Sequence, residues 1–108
     1  VNGRQYIIEL IKLAEKSLDK GGKLLFSAFD FLGVDKNYGK EPTLFDILIK
    51  HSFHPIIIGE FEKEIKPISY TFKNLQYIRR IYPRYIFKKN KNDLYKHKVL
   101  IVCAEKTK

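Results

Sequence analysis

The first twenty positions alternate between apolar and polar residues at the spacing of an α-helix. Apolar side chains recur every three or four positions, at Ile7, Ile11, Ala14 and Leu18. That period places them on one side of a helix and leaves charged residues on the other. The pattern predicts a helix over Arg4–Asp19, capped at its start by Asn2 and ended by Gly21 in the left-handed conformation.

Apolar runs further along the chain predict strands. Lys23–Ala28 contains "LLF", a continuous apolar run that indicates a strand covered on both faces. Ile56–Phe61 predicts a second strand, and Arg84–Lys88 a short one. Tyr95–Ala104 is the last strand, and its "VLIVCA" is typical of a central position in a sheet. The loop "FDFLGVDKNYGKE" after the first strand is longer than a plain connection needs.

Helices between these strands indicate the fold class. A second helix is predicted to begin near Pro42, because a proline in the first turn loses no hydrogen bond. Ser69 is the predicted cap of a third helix, Tyr70–Tyr82, which Pro83 ends. Alternation of helices and strands predicts an α/β fold with a layered sheet. The helices suffice for little more than one full layer, so burial in so small a unit is marginal.

Composition describes an ordinary folded chain with an uneven charge. Of the 108 residues, 44% are hydrophobic and 31% are charged, which fits one domain or part of one. Residues 1–66 carry 10 Lys and Arg against 10 Asp and Glu, whereas residues 67–108 carry 11 against 2. Such a basic field attracts polyanions, and the alternative is a solvated lysine-rich surface. Because the chain starts at Val1 and contains no Met, we expect further chain to precede it.

The order of elements, together with "GRQYIIELIKLAEKSLDKGGKLLFSAFDFLG", resembles the C-terminal half of class I S-adenosylmethionine-dependent methyltransferases. It looks most like the branch that modifies nitrogen atoms in nucleic acids or in protein glutamine. "TLFDILIKHSFHPIIIGEF" is similar to the next helix and the sixth strand of that family. "LYKHKVLIVCAEK" resembles its seventh strand. The resemblance implies a partial Rossmann-like sheet, equivalent to strands 5, 7 and 6, with flanking helices and an antiparallel last strand.

The same resemblance implies an activity, and it shows which motifs of the family this chain lacks. Residues 1–108 would be a single domain, the C-terminal part of a larger methyltransferase domain acting on RNA or a translation-related substrate. The cofactor would be S-adenosylmethionine, whose methyl group a positioned substrate nitrogen attacks directly. The family's glycine-rich cofactor loop, ribose-binding acid and Asn-Pro-Pro-Tyr motif are absent from this chain. We therefore expect no cofactor to bind this chain alone, and a missing N-terminal half of the same domain to supply them.

Candidate substrate contacts cluster after the first strand. Ligands of open α/β sheets bind outside the carboxyl ends of the strands. Ser27, Asp30 and Phe31 lie at that end of the first strand, a position that borders the substrate in the resembling family. Asn2, in the loop after the missing motif, is a fourth candidate. The alternative is that Ser27 and Asp30 cap loop backbone and Asn2 caps the first helix.

Basic and aromatic residues interleave between positions 70 and 98. Cations contact phosphates and rings stack on unpaired bases, so the mixture suits nucleic acid. The candidate phosphate-facing residues are Arg79, Arg80, Arg84, Lys88, Lys89 and Lys91. The alternative is that the rings pack the third helix on the sheet, which the spacing favours for Phe72 and Phe87. A small basic nucleic-acid-binding module without catalysis is therefore the second functional hypothesis.

The remaining reactive residue types indicate no further site. The spacing of His51, His54 and His97 is not that of metal ligands, and we expect His97 to be exposed between two lysines. The single cysteine, Cys103, lies in an apolar run and is interpreted as a small buried hydrophobe. No apolar run reaches the length of a membrane span, so we expect a cytoplasmic protein without membrane contact.

Overall fold

The fold, which a computed structural model describes for residues 3–108, alternates helices with strands. The helices are α1 (Gly3–Ser17), α2 (Leu44–Lys50), α3 (Tyr70–Lys73) and α4 (Leu75–Ile81). The strands are β1 (Lys23–Phe29), β2 (Phe53–Glu64), β3 (Lys88–Lys89) and β4 (Tyr95–Lys106). A short 3-10 helix, Asp30–Leu32, follows β1 directly. The class is α/β with an open four-stranded antiparallel sheet, as the alternation predicted in outline.

Strand β4 lies between β1 and β2 and is antiparallel to both. Val102 pairs with Phe26 on one side and with Ile57 on the other. Strands β1 and β2 therefore run parallel to each other without being neighbours, and β3 pairs with the start of β4. The prediction that the last strand is interior and antiparallel is confirmed. The described part of the chain holds no helix long and apolar enough to cross a membrane.

The two faces of the sheet differ sharply in burial. Side chains on one face pack against α1 and α2 in a single core. Leu24 of β1 lies on this face and is 9% exposed, whereas its neighbour Leu25 points to the other face and is 60% exposed. Ile56 and Phe61 of β2 are exposed on that same outer face. Within the described residues "LLF" is therefore covered on the Leu24 face only, and cover of its second face stays a prediction.

Helix boundaries follow their caps rather than the prolines. Thr43 is the N-cap of α2, since its Oγ1 accepts the Asp46 N–H at 3.1 Å, so Pro42 precedes the helix instead of opening it. Gly21 takes the left-handed conformation, with φ of 88°, as predicted. Ser69 caps α3 by accepting the Phe72 N–H. The predicted third helix is interrupted at Asn74, which has φ −106° and ψ 15° and separates α3 from α4.

The predicted strand over Arg84–Lys88 shrinks to the two residues of β3. The backbone N–H groups of its first two residues form hydrogen bonds outside the sheet: that of Arg84 donates to the Tyr38 carbonyl and that of Tyr85 to the Tyr82 carbonyl. Phe87 is buried, as its spacing predicted, whereas Phe72 is 39% exposed and does not pack as expected. Residues 82–87 thus lie over the end of β1 instead of extending the sheet.

Arg4 joins the loop between β1 and α2 to the first helix. The side chain is 4% exposed, and its Nη1 donates to the Leu32 carbonyl at 3.2 Å while its Nη2 donates to the Pro42 carbonyl. Leu32 and Pro42 lie near the two ends of that loop. One buried guanidinium therefore holds the loop against α1, satisfying carbonyls that would be costly to bury unpaired.

Adjacent leucines provide a matched test of the one-sided core. Leu24→Ala is expected to lower the free energy of unfolding by about 2–5 kcal/mol, because it removes buried methyl groups and leaves a cavity. Leu25→Ala is expected to change it by no more than about 0.5 kcal/mol, as at other exposed sites. Urea denaturation of both variants measures the difference. An equal loss in the two variants would contradict the open outer face.

Candidate functional site

A cavity of about 600 Å³ lies at the carboxyl end of β1. Its sheet wall is formed by Ile57 of β2 and Leu100 of β4. The loop residue Tyr38 and the segment 84–86 close the opposite side, and Asp30 lies at the base. The cavity therefore occupies the position where the sequence placed substrate contacts, beyond the end of a strand.

Asp30 connects the segments around the cavity. As the first residue of the 3-10 helix, it stands immediately beyond the last β1 residue, Phe29. Its Oδ1 accepts the Lys98 N–H at 3.1 Å, and both carboxylate oxygens lie 2.9 Å from the Tyr85 hydroxyl. This carboxylate therefore holds β1, β4 and residues 82–87 together, while its remaining lone pairs can accept a ligand N–H.

The two tyrosines beside Asp30 remain protonated donors. Burial, reinforced by the hydrogen bond to Asp30, raises the pKa of Tyr85 well above its ordinary value of 10.0. Burial and the nearby Asp30 and Asp35 carboxylates raise the pKa of Tyr38 as well. The rings of Tyr38 and Tyr85 meet edge to face, with centroids 4.9 Å apart. Neither phenol can serve as a base at neutral pH, so both act as neutral polar surface.

His97 is buried at the cavity wall, and the prediction that it is exposed is wrong. It is 3% exposed and packs edge to face against Phe29 and Phe31, at centroid distances of 4.6 and 5.3 Å. Its Nδ1 lies 3.1 Å from the Lys98 carbonyl oxygen, an acceptor, so Nδ1 carries the proton. Burial lowers the pKa of His97, and the Lys98 hydrogen bond and Asp30 offset part of that effect. The ring is therefore neutral at pH 7.

The rim of the cavity is formed by charged side chains in cross-strand pairs. Lys96 Nζ lies 2.9 Å from Glu62 Oε2, and Lys98 Nζ lies 3.6 Å from Glu60 Oε1. The hydrogen bond from Lys96 lowers the pKa of Glu62. Three further cations also line the cavity: Lys36, Arg84 and Lys88. Each of the two glutamates is paired with a lysine. The remaining charges of the lining are these three cations and the carboxylates of Asp30 and Asp35, so the lining has a net positive charge.

The predicted substrate residues do not all meet at this cavity. Asp30 lines it. Phe31 is 3% exposed and lies beneath, against Tyr82 and Phe87, so it supports the wall rather than presenting a free ring. Ser27 is exposed on β1, in register with Ile101 on the outer face of the sheet. Asn2 lies outside the described residues. A substrate role for the four stays a prediction, and Asp30 has the most suitable position.

The six residues of the predicted basic strip differ in their contacts. Arg84 and Lys88 join the cavity rim, and Arg84 Nη2 donates to Asn37 Oδ1 at 2.9 Å and to the Gly39 carbonyl at 2.6 Å. Arg79 lies over the Tyr95 ring at 5.0 Å, and Lys89 pairs with Asp93 at 3.3 Å. The remaining two, Arg80 and Lys91, are exposed. A phosphate-facing role for the six stays a prediction.

Sequence reasoning missed the residues that shape the cavity around Asp30. Tyr38 and Tyr85 are 47 positions apart, and no local period joins a loop residue to one that follows a helix. His97 carried no usable signal, because alternation along "KHKVLIV" places it on the face of exposed Leu25, and its burial comes from the rings of Phe29 and Phe31. Within residues 3–108, no group of histidine, cysteine or acidic side chains could hold a metal ion. The cavity thus offers a carboxylate acceptor, phenol donors and cations.

Comparisons of the chain with models of known protein families, with curated proteins and with solved structures find no match. The function must therefore be inferred from the topology of the sheet and from the chemistry of this cavity.

The buried imidazole predicts a pH dependence of stability. Because the folded state lowers the pKa of His97 below 6.5, the unfolded chain takes up a proton first as the pH falls. The stability due to neutral His97 is full above pH 6.5 and is lost as the pH falls through the lowered folded pKa. The slope from this group is at most about 1.4 kcal/mol per pH unit.

Urea denaturation between pH 8 and pH 5 measures this contribution in the wild type and in His97→Gln. The difference in unfolding free energy between the two should shrink as the medium becomes more acidic. His54→Gln, a substitution of an exposed histidine, is the control and should give a curve parallel to the wild type. A constant difference between the wild type and His97→Gln would show that His97 does not titrate differently in the folded state.

Proposed function

We propose that this chain forms the C-terminal part of the catalytic domain of an S-adenosylmethionine-dependent methyltransferase acting on RNA or a translation-related substrate. The observation that carries the proposal is the strand order β1-β4-β2, with β4 antiparallel to both neighbours. The resemblance in sequence implies that same arrangement for strands 5, 7 and 6 of the family. An antiparallel strand inserted between two parallel ones is an unusual departure from simple α/β winding, in which successive strands are parallel.

The outer face of the sheet supports a larger parent domain. Leu25, Ile56 and Phe61 are between 49% and 60% exposed there, although they belong to interior-type apolar runs. The edge of β1 away from β4 pairs with no other described strand. Exposed apolar faces and free strand edges favour further association. A sheet that continues past β1, with helices over its second face, would cover both, and we assign that cover to an N-terminal half of the same domain.

The described residues do not fit the cofactor itself. Nucleotide-type cofactors bind where a strand passes through a glycine-rich loop into a helix. The glycine that follows β1, Gly33, donates its N–H to the Asp30 carbonyl and accepts the Leu44 N–H, so its backbone groups are already used within the loop. Gly39, the other glycine of this loop, donates its N–H to Asn37 Oδ1 and accepts a hydrogen bond from Arg84, so its backbone groups are used as well. Cofactor binding is therefore assigned to the remainder of the domain.

The contribution proposed for this chain is the substrate side of the site. Asp30 can accept an N–H from an amide or a nucleobase, and the raised pKa of Tyr85 keeps the neighbouring phenol uncharged. Lys36, Arg84 and Lys88 on the rim suit an anionic substrate such as RNA. Because a single free cysteine needs no oxidising compartment, we also propose a cytoplasmic setting.

Methyl transfer tests the proposal directly. The gene product that contains this chain should transfer tritium-labelled methyl groups from S-adenosylmethionine to ribosomal RNA, ribosomal subunits or release factors. Asp30→Asn in that product should lower the rate at least about tenfold while cofactor binding is retained, because the acceptor acts on the substrate. His54→Gln is the matched exposed control. Absence of transfer to all three substrate classes from a cofactor-binding product would contradict the proposed substrates.

Calorimetry of residues 1–108 tests whether cofactor binding belongs to the remainder of the domain. We expect no heat of binding for S-adenosylmethionine, because the cofactor loop is absent. Saturable binding in the micromolar range would refute this assignment. The same gene should encode an Asn/Asp-Pro-Pro-aromatic run directly upstream of the Val1 codon.

A basic binding module without catalysis is the second candidate function. Residues 67–92 carry seven Lys and Arg and no Asp or Glu, which favours contact with a polyanion whether or not methyl transfer occurs. RNA binding by the complete gene product, without cofactor binding or methyl transfer, would favour this alternative.

A further inference from the structure

The aromatic residues of the basic region fall into two groups once their burial is known. Tyr82 and Phe87 are buried in the core, and Tyr85 and Tyr95 are partly covered. In contrast, Tyr70 and Tyr77 are 69% and 57% exposed on the helices α3 and α4, and Phe72 of α3 is 39% exposed. The two tyrosine rings contribute little to the core and are accessible to a ligand.

The two exposed tyrosines and two cations are spaced as on one helical face, although Asn74 separates α3 from α4. Residues 70, 73, 77 and 80 recur at intervals of three and four, the period of a helix face. The buried side of the same segment is formed by Leu75 and Tyr82. Backbone hydrogen bonds from Asn74 to Tyr70 and from Ile78 to Asn74 continue the turn across the interruption. We call the resulting exposed surface, Tyr70, Lys73, Tyr77 and Arg80, the ring–cation face.

These four side chains are not used within the described fold. None of them forms a hydrogen bond, an ion pair or a ring contact with another residue of the region 3–108. The other cations nearby are occupied, since Arg79 lies over two rings and Arg84 holds the loop at Asn37. Of the predicted basic residues, only Arg80 belongs to this face.

We propose that the ring–cation face is a platform for single-stranded RNA, with a base stacked on each tyrosine and a phosphate near each cation. Seven residues of continuous helix span about 10 Å, so even with the interruption at Asn74 we expect room for each ring to take its own base. Lys73 and Arg80 each follow a ring by three residues, about 4.5 Å along the axis. Residues 67–92 carry seven Lys and Arg and no Asp or Glu, so their positive charge is complementary to a polyanion. The inference rests on RNA being the partner in the proposed function.

Single-stranded RNA is favoured over duplex RNA by the kind of contact available. Stacking on exposed rings needs unpaired bases, because the bases of a duplex are already stacked on one another. A platform of this kind tolerates many sequences, since every base has a flat face. The ring–cation face is also separate from the cavity, whose lining contains none of its four residues.

Fluorescence anisotropy with a labelled 12-nucleotide single-stranded RNA tests the platform. Tyr70→Leu and Tyr77→Leu should each weaken binding by about 5-fold to 100-fold, the range for loss of one stacked base. Tyr70→Phe and Tyr77→Phe should bind like the wild type, because the ring is kept. Tyr6→Leu is the matched control: Tyr6 is 71% exposed but lies on α1, and its loss should leave the affinity unchanged.

Salt dependence tests the two cations separately. Lys73→Gln and Arg80→Gln should each reduce the slope of log affinity against log salt by about 0.7, the value for one phosphate of a single strand. The corresponding duplex should bind more weakly than the single strand, and the tyrosine substitutions should affect it little. Circular dichroism should show the wild-type spectrum for every variant, because all the substituted side chains are exposed.

Unchanged RNA affinity in both folded tyrosine-to-leucine variants would overturn the platform, as would an equal loss in Tyr6→Leu. The measurement needs no cofactor, so its outcome is independent of methyl transfer. RNA binding that depends on Tyr70 and Tyr77, without methyl transfer by the complete product, would support the platform and contradict the methyltransferase. Methyl transfer by the complete product, together with RNA affinity that is unchanged in the Tyr70→Leu and Tyr77→Leu variants, would support the methyltransferase and contradict the platform.

Discussion

The described sheet depends on one constraint: every other strand pairs with β4. Strands β1 and β2 are held side by side only through the antiparallel ladders that each forms with it. The β1 ladder ends at the pair Phe29 and Val99, so the residues of β4 before Val99 extend beyond the end of β1. The backbone N–H of Lys98 therefore has no partner in β1, and the Asp30 carboxylate accepts it instead. An unpaired group at the end of a ladder is thus satisfied by the residue that anchors the cavity.

The cavity follows from the same geometry. Strands β2 and β4 both continue past the last pair of β1, and β3 pairs only with Tyr95 and Lys96 of β4. At His97 and Lys98 the sheet is therefore a two-stranded wall. The 3-10 helix and residues 82–87 occupy part of the vacated space with aromatic rings, including Phe31 and Phe87. What they leave open is lined by polar and charged groups around the apolar side chains of Ile57 and Leu100. The aromatic rings thus support the walls of the cavity, and the polar and charged groups that could bind a ligand line the cavity itself.

The sequence was sufficient for the order of elements and for the central place of β4, because long apolar runs and helical periods are local signals. It was insufficient to predict which faces of the sheet the helices cover. A run such as "LLF" has the same letters whether one face or both are packed, and here Leu25 is exposed because the helices lie only over Leu24. Local signals also failed at His97: it lies between Lys96 and Lys98 in the sequence, but the rings of Phe29 and Phe31 pack against it and bury it. Tyr38 and Tyr85 meet only through tertiary packing.

The central position of β4 is tested most directly by nuclear Overhauser effects between strands in solution. We predict cross-strand contacts from Val102 to both Phe26 and Ile57 with the antiparallel pattern, and none between β1 and β2. Contacts from Val102 to only one of these strands, or direct contacts between Phe26 and Ile57, would place β4 at an edge. With β4 at an edge, the cavity could not arise from the two-stranded wall, and the proposed function would lose its basis.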